Sequence, residues 1–449
     1  MTLSAGSAIV AFSDFLCGYP LFILLMGGGL FLFLYSGAIP LRRFFTAVRS
    51  LRTEKEGEGQ ISSFQALMST ISSTVGLGNI AGVAIALVVG GPGSIFWMWV
   101  SALLGMSTKF FEGTLAIMYK GRDAMGVAQG GPMYVITEGI SHKLKPLAQF
   151  FCCAGMVGCL VTMQANQLTE SLCKVIVCPV LGLQESFLMR LVIGLTIGGI
   201  VAYVILGGIR RISRLATRIV PFMVSCYFLL VFAIIVIYFD RLPGVFSSIF
   251  DGAFNARAGF GALMATALTG ARRAMYVNEA GVGTASLMHG ASTNAEPCRE
   301  GLVAMLGPCI DSGFVCTLTA IPIIMAGNYH VEGIQGLSIA LDSFDILLPV
   351  VGKYLLMCMV VIFAFSTMFS YSYSGTKCAA YLFGERGMKY YRYFYLALIV
   401  VASVISLGTA VSIMDAAFAL MAFPNMFSLL YLAPKAKAEM KRYFASSGR

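Results

Sequence analysis

The stretch Ser72-Ser73-Thr74-Val75-Gly76-Leu77-Gly78-Asn79-Ile80-Ala81-Gly82 interrupts an apolar segment that runs from residue 64 to residue 90. Two glycines and an asparagine weaken a helix here, because glycine lacks a Cβ and gains the most freedom outside helical geometry. Inside a membrane, backbone without hydrogen-bond partners is tolerated only where it is buried in protein or lines a polar cavity. The stretch therefore predicts a broken membrane helix with a binding site at the break.

A second stretch, Asn278-Glu279-Ala280-Gly281-Val282-Gly283-Thr284-Ala285, repeats this pattern inside the apolar segment 260–289. A half-helix that begins at such a break offers free N–H groups to an anion, and the exposed carbonyls can bind a cation. A single Gly-x-Gly pattern is equally compatible with close helix packing. Two breaks in corresponding spans are, however, typical of the midplane site of a secondary transporter.

The composition of the chain indicates a polytopic membrane protein. Of its 449 residues, 58% are hydrophobic and 12% are charged, whereas soluble proteins carry about 25% charged residues. The net charge of +10 does not predict nucleic-acid binding, because the basic residues lie in short loops between apolar segments. Most of the twelve cysteines lie inside apolar segments without a Cys-x-x-Cys pair, which favours buried thiols.

Windows of about 20 apolar residues predict eleven membrane spans in an all-α fold. In chain order they cover residues 17–38, 64–90, 94–118, 147–172, 187–206, 219–239, 260–289, 302–326, 350–373, 395–407 and 411–432. When alternate loops are assigned to the cytoplasm, 23 of the 31 Lys and Arg residues are cytoplasmic and 5 are external. This bias predicts a plasma (inner) membrane protein with its N-terminus outside and its C-terminus in the cytoplasm.

The eleven spans divide into one extra helix and two sets of five, each beginning with a broken span. Because each set has five spans, an odd number, the two sets must cross the membrane in opposite directions, as in an inverted repeat. The predicted units are residues 1–60 (extra helix and basic loop), 61–240 (first repeat), 241–434 (second repeat) and 435–449 (basic cytoplasmic tail). Helical spacing of apolar residues from 334 to 344 predicts an external lid helix, and residues 133–140 predict an interfacial helix.

Hydroxyl and amide side chains near the first break favour a hard cation such as Na⁺. The break supplies Ser72, Ser73, Thr74 and Asn79 together with free carbonyls, and no thiolate or imidazole set is present for a transition metal. A second group of hydroxyls, at Ser366, Thr367, Ser370 and Tyr371, forms one polar stripe on an apolar helix. Such hydroxyls often bond back to their own helix, but the cluster favours a pore face.

Other polar residues inside the spans leave two interpretations open. The buried amides of Gln164 and Asn166 are as compatible with helix packing as with a ligand. Glu279 lies in the second break, and an ion pair with Arg272 or Arg273 is at least as compatible with the sequence as substrate contact. Glu112 and its neighbour Lys109 lie towards the cytoplasmic end of a span, where a gating or snorkelling role is expected.

Four stretches carry a resemblance to a known family. They are Thr74-Val75-Gly76-Leu77-Gly78-Asn79-Ile80-Ala81-Gly82-Val83-Ala84, Gly90-Gly91-Pro92-Gly93 with Phe96-Trp97-Met98-Trp99, Asn278-Glu279-Ala280-Gly281-Val282-Gly283, and Phe363-Ala364-Phe365-Ser366-Thr367. From residue 64 to about residue 431 the chain resembles the alanine/glycine:cation symporter family of sodium-coupled amino-acid carriers. The resemblance implies a LeuT-type fold, with an extra helix before a ten-helix core, and import of small neutral amino acids with Na⁺.

The resemblance also implies site residues. Those expected around the amino acid are Thr74, Gly76, Leu77, Gly78, Gln164, Asn278, Gly281, Thr367 and Tyr371. Those expected around one Na⁺ are Ser72, Val75, Ser366 and Thr367, with Asn79 as a candidate ligand of a second Na⁺. Tyr371 departs from the family, which often has Trp at this position, so the substrate pocket is expected to differ there.

We therefore predict a Na⁺-coupled symporter for alanine, glycine or a similar amino acid, with Na⁺ as coupling ion and no further cofactor. Its partners are the amino acid, Na⁺ and the lipid bilayer, without nucleic acid, and a monomer is compatible with the internal repeat. An H⁺-coupled or exchange-type permease of the same fold remains an alternative. An enzyme is disfavoured, because the chain has three histidines and no nucleophile–base pair.

Overall fold

The computed structural model describes residues 5–51, 57–123, 126–254, 259–330, 336–405 and 408–447. These residues form helices joined by short connections. The strands among them are β1 (Gly121–Arg122) and β2 (Ala128–Gln129), which pair antiparallel in the loop after α8. The sequence did not predict this hairpin, because two-residue strands leave no alternating pattern.

Up to residue 254 the described residues contain fifteen α-helices. They are α1 (Ala5–Leu16), α2 (Tyr19–Phe22), α3 (Gly28–Tyr35), α4 (Ile39–Arg42), α5 (Phe44–Ser50), α6 (Ser63–Thr74), α7 (Val83–Gly90), α8 (Gly93–Met118), α9 (Pro132–Tyr134), α10 (Lys145–Gly158), α11 (Thr162–Leu172), α12 (Cys178–Leu181), α13 (Phe187–Ile205), α14 (Gly208–Ile237) and α15 (Leu242–Ala253). Wider π-helical turns lie at Ile23–Gly27, Gly78–Gly82, Val135–Ile140 and Cys173–Val177.

From residue 259 onward the described residues contain eight α-helices. They are α16 (Gly259–Asn278), α17 (Thr284–His289), α18 (Pro297–Ala304), α19 (Leu306–Pro308), α20 (Cys316–Ala326), α21 (Gly336–Leu347), α22 (Gly352–Val404) and α23 (Gly408–Ser447), with a π-helical turn at Cys309–Val315. The range given for α22 covers two predicted spans as two helices that meet at Gly384, where the backbone is not helical and φ is +66°. Only glycine adopts this backbone geometry at low cost.

Seven helices in the described ranges are long and apolar enough to cross a membrane, or eight if the bent pair α6 and α7 forms one span. The predicted number, eleven, is larger than eight because the prediction treats the two limbs of α22 as separate spans and also includes α8 and α16. The helical run at the first predicted span extends over Ala8–Tyr35 and so begins before the predicted start at residue 17. The helix predicted at residues 133–140 is present as α9 and the turn Val135–Ile140, with Met133 and Ile136 buried against protein, and its place at the membrane interface stays a prediction.

The two broken spans lie side by side in opposite directions. Helix α6 contacts α17, while α7 contacts α16. The start of the first span meets the end of the second through a parallel bridge between Ile61 and Ser292. Lys120 donates to the carbonyl oxygens of Glu58 and Ser292, both at 2.6 Å.

A fully buried carboxylate reinforces this junction. Glu300 on α18 accepts hydrogen bonds from Ser63 at 2.6 Å and from Ser292 and Asn294 at 3.1 Å. The Nδ1 atom of His289 lies 2.6 Å from the same carboxylate. The beginning of α6 is therefore bound to the segment that follows α17 by backbone and side-chain hydrogen bonds together.

Helix α21 corresponds to the predicted lid helix, although residues 334 and 335 of that prediction lie outside the described ranges. Its apolar face is buried, as the spacing predicted, with Leu337, Leu341 and Phe344 inside the protein. Gly336 lies directly against the backbone of Ala81, so close that a Cβ at position 336 would lie 2.4 Å from the Ala81 oxygen. The helix therefore covers the part of the first broken span that follows the break.

Candidate functional site

The first break separates two half-helices that meet at an angle of 55°. Helix α6 begins with a capping box between Ser62 and Gln65 and continues to Thr74. Val75 then adopts an extended conformation, with φ −81° and ψ 94°, and the chain resumes as the π-helical turn Gly78–Gly82. The predicted interruption is thus present, and it exposes backbone groups in the middle of the span.

Asn79 organises the backbone of this break. Its side-chain oxygen accepts a hydrogen bond from the backbone N–H of Gly76 at 2.9 Å, and the residue is fully buried. Its amide nitrogen lies 3.6 Å from the sulfur of Cys316 on α20. Asn79 therefore binds the helical turn after the break to the extended backbone before it, a role that the prediction of a Na⁺ ligand did not include.

An open space adjoins the first break. Gly78 is exposed although Leu77 and Asn79 beside it are buried, and no atom lies within 4 Å of where a Cβ at position 78 would be. The hydroxyl of Thr74 points back to its own helix, where it donates to the Thr70 oxygen at 3.2 Å. The backbone around Gly78 is thus the accessible part of the break.

The second break consists of a loop with three left-handed residues between α16 and α17. Glu279, Gly281 and Gly283 have φ angles of +53°, +92° and +100°. Glycine adopts such angles freely, whereas a glutamate in this region is uncommon and is held there by its surroundings. The side-chain oxygen of Asn278 accepts a hydrogen bond from the Ala280 N–H at 3.0 Å, which fixes the start of the loop.

A carboxylate from α8 holds the loop of the second break. Glu112 accepts hydrogen bonds from the Gly281 N–H at 3.0 Å and from the side-chain amide of Asn425 at 2.7 Å. The same Asn425 nitrogen donates to the Gly281 oxygen at 2.8 Å. Both backbone polar groups of Gly281, a predicted substrate contact, are therefore already engaged.

One expectation about α8 was therefore wrong. Glu112 and Lys109 are fully buried, so neither side chain snorkels to the membrane surface, and a gating role stays a prediction. A hydropathy window locates a charged residue along a span but does not show what packs around it. Asn425 was missed altogether, although an amide next to Pro424 in an apolar span was a usable signal.

Glu279 binds hydroxyl groups rather than arginine. Its carboxylate accepts hydrogen bonds from Thr284 on α17 and from Tyr371 on α22. The predicted ion pair with Arg272 or Arg273 is wrong, since Arg272 lies 3.6 Å from Asp14 on α1. The carboxylate of Glu279 instead contacts α17 and α22, through Thr284 and Tyr371.

The first break meets α22 at the predicted Na⁺ residues. The hydroxyl of Ser72 donates to the Ser366 oxygen at 2.9 Å, and both residues are buried. Gly76 approaches Thr367 so closely that a Cβ would lie 2.4 Å from the Thr367 hydroxyl oxygen. Ser72, Val75, Ser366 and Thr367 are thus assembled around one contact between the two elements.

The hydroxyl groups on α22 differ in their hydrogen-bond partners. Ser366 and Thr367 both donate to the Phe363 oxygen at 2.9 Å, which is the back-bonding that the sequence left open. Ser370 has a buried hydroxyl without a hydrogen-bond partner in the described ranges. Tyr371 donates to Glu279, and its ring packs edge-on against Phe418 with centroids 6.4 Å apart.

The two amides on α11 also behave differently. Asn166 donates to the carbonyl oxygens of Ala402 and Ile405 on and beside α22, both at 2.9 Å, and therefore serves helix packing. The side-chain oxygen of Gln164 is buried and has no partner among the described residues. One turn along, Gln167 lines a cavity of about 40 Å³ between α11 and the lid helix α21, which also includes Leu337.

Three comparisons with known proteins agree on the family and the fold. A model of the sodium:alanine symporter family matches residues 2–448. The chain is 36% identical to the sodium/alanine symporter AgcS of Methanococcus maripaludis, over 97% of each chain. It is 30% identical to the probable sodium/glutamine symporter GlnT of Bacillus subtilis, over 96% of this chain and 89% of GlnT.

A solved structure of MhsT in complex with L-phenylalanine has a TM-score of 0.56 to this chain. It covers 85% of this chain and 98% of MhsT at 13% sequence identity, and so shows a shared fold. The likeness agrees with the LeuT-type fold that the sequence resemblance implied. Because the family model covers nearly the whole sequence, this chain belongs to the sodium:alanine symporter family.

Proposed function

We propose that the protein imports a small neutral amino acid, alanine or glycine, together with Na⁺ by alternating access. Membership of the sodium:alanine symporter family supports membrane transport of an amino acid coupled to Na⁺. The observation that carries the proposal is the open space beside Gly78, at a point where backbone amides are free of helical hydrogen bonds. A half-helix N-terminus of this kind binds a carboxylate.

In this proposal the substrate lies between the two breaks. Its carboxylate binds amides near Leu77 and Gly78, and its ammonium group binds carbonyls of the loop that follows Asn278. Gln164 and Tyr371 enclose the side chain. The unpartnered oxygen of Gln164 and the position of Tyr371 against the second break support this arrangement.

We place the coupling Na⁺ at the contact between the first break and α22. Ser72, Val75, Ser366 and Thr367 would supply oxygen ligands there, of the hard type that Na⁺ prefers. The hydrogen bond from Ser72 to the Ser366 oxygen brings the two halves of this set together. A cation at this point would hold α6 against α22, and its departure would let both solutes leave.

The finer architecture belongs to the same proposal: eleven membrane helices, with an inverted repeat of five and five after an extra helix. The antiparallel arrangement of the two broken spans supports the inversion, because α6 lies beside α17 and α7 beside α16. The cytoplasmic excess of Lys and Arg supports an external N-terminus and a cytoplasmic C-terminus.

Uptake into proteoliposomes tests the proposal directly. We expect an inward Na⁺ gradient to drive accumulation of labelled alanine or glycine, and a panel of amino acids including glutamine to define selectivity. An equal pH gradient without Na⁺ tests the H⁺-coupled alternative. Alanine counterflow that runs equally well without Na⁺ would remove the coupling, and uptake of none of the panel would refute the transport proposal.

A further inference from the structure

An open hollow of about 430 Å³ lies between the end of α13 and the second limb of α22, residues 385–404. Leu206, directly after α13, forms one wall. The other wall consists of side chains from the first turns of the limb, at spacings that place the basic ones on one helix face. These side chains are Glu385, Arg386, Met388, Lys389, Arg392 and Tyr393. Three of them are cations and one is an anion, so the hollow is basic.

The cations of the hollow have no partners in the described ranges of the chain. Arg386, Lys389 and Arg392 form neither an ion pair nor a hydrogen bond there. Other arginines at the surface do have partners, since Arg122 pairs with Glu58 at 2.8 Å and Arg211 donates to the Tyr203 oxygen at 2.5 Å. Cations that lie close together without counter-charges attract an anion.

Arg392 is the most enclosed of the three cations. Its side chain is half-buried, whereas Arg386 and Lys389 are exposed. It also lines an adjoining cavity of about 10 Å³ beside Ser372, Tyr373 and Thr376, which is about the room that one water needs. The hydroxyl of Tyr373 is buried and has no hydrogen-bond partner among the described residues. The inner end of the hollow therefore holds a guanidinium group that has lost part of its hydration without gaining a protein partner.

Exposed aromatic and apolar side chains flank the hollow on both elements. Tyr203 and Leu206 on the α13 side, and Tyr393 and Phe394 on the α22 side, are each more than half exposed. In a membrane protein such side chains face lipid, and tyrosines lie at the level of the headgroups. The charge bias places the predicted loops 207–218 and 374–394 on the cytoplasmic side. The hollow therefore opens at the headgroups of the cytoplasmic leaflet.

We propose that this hollow binds the headgroup phosphate of an anionic phospholipid from the cytoplasmic leaflet. Guanidinium groups bind phosphate oxygens through paired, charge-assisted hydrogen bonds, and basic pockets between membrane helices bind such headgroups. Arg386, Lys389 and Arg392 bind the phosphate, while the acyl chains lie along Leu206 and Phe394. The lipid thereby joins α13 to the second limb of α22. This binding needs neither the amino acid nor Na⁺, so it stands apart from the proposed function.

Thermal unfolding of the purified full-length protein in detergent tests the site. We expect phosphatidylglycerol to raise the unfolding temperature, and phosphatidylcholine with the same acyl chains to raise it much less. Removing one cation from such a site weakens binding about fivefold. Arg392→Gln and Lys389→Gln should therefore each need about five times more phosphatidylglycerol for the same shift. The control Arg49→Gln removes an exposed cation of α5 outside the hollow and should respond like the native protein.

Glycerol 3-phosphate distinguishes a lipid from a soluble phosphate compound. It carries the phosphate without acyl chains and should cause no shift at concentrations where phosphatidylglycerol acts, so an equal shift would overturn the lipid assignment. If Arg392→Gln does not fold, the exposed positions carry the test through Lys389→Gln and Arg386→Gln. The proposal is also overturned if the folded variants respond to phosphatidylglycerol as the native protein does, or if both lipids stabilise the native protein equally.

Discussion

Replacing Gly76 by alanine should separate the first break from α22. The new Cβ would lie 2.4 Å from the hydroxyl oxygen of Thr367, whereas its other contacts with that side chain, at 3.4 and 3.6 Å, are ordinary. The distance from the new Cβ to this oxygen is therefore about 1 Å shorter than a normal van der Waals contact. Since Thr367 is β-branched and already bonds to Phe363, its hydroxyl cannot turn away without losing that hydrogen bond.

The expected cost follows from the size of the overlap. Overpacking a well-packed site by one methyl group typically costs about 1–3 kcal/mol. If the overlap destabilises the Na⁺-bound state, in which the ion lies between Ser72 and Ser366, by this amount, the apparent Na⁺ affinity falls about 5- to 150-fold. We therefore expect the half-saturating Na⁺ concentration for alanine uptake by Gly76→Ala to rise by that factor.

The matched control is the same substitution six residues further along the chain. Gly82 has helical φ and ψ angles and no atom within 4 Å of its Cβ position, so Gly82→Ala should be neutral or slightly stabilising. In a thermal unfolding assay, adding Thr367→Ala to Gly76→Ala should recover part of the lost stability by removing the clashing oxygen. Equal Na⁺ dependence in Gly76→Ala and Gly82→Ala would refute the reasoning.

Three further substitutions test other contacts of the two breaks. Asn79→Ala leaves the buried Gly76 N–H without an acceptor and should lower the unfolding free energy by about 1–3 kcal/mol, measured by thermal unfolding; Asn79→Asp, which keeps the acceptor, should lose less. Tyr371→Phe removes a hydrogen bond to Glu279 and should weaken alanine binding about tenfold or more, and unchanged binding would show that this bond does not shape the pocket. Lys120→Gln removes two hydrogen bonds at the junction of the broken spans and should speed amide hydrogen exchange at residues 57–63, with no change expected around the lid helix.

The breaks could be predicted from sequence because their cause is local. Gly76, Gly78 and Asn79 disfavour helix wherever they occur together in an apolar span, and the φ angles at Gly281 and Gly283 require glycine. The partners of the polar residues depend on tertiary structure instead. Nothing in the sequence around Glu112 indicates that it reaches a loop 169 residues away.

Sequence proximity also gave a wrong partner and a wrong boundary. Arg272 and Arg273 lie just before Glu279 in the sequence, which suggests an ion pair, but Arg272 lies 3.6 Å from Asp14 and the Glu279 carboxylate accepts hydrogen bonds from Thr284 and Tyr371. The predicted spans 350–373 and 395–407 leave residues 374–394 as a connection, whereas two helices extend into this range and meet at Gly384. Hydropathy reports where a segment meets water, and a helix can extend beyond that point.

The pairing of Ile61 with Ser292 removes a degree of freedom from the molecule. If α6 moved without α17, this bridge would break. The two hydrogen bonds of Lys120 and the buried hydrogen bonds of Glu300 would break with it. Tilting the joined half-helices as one rigid body ruptures none of them. Helices α6 and α17 should therefore move together, and the distance between residues 61 and 292 should stay constant during transport.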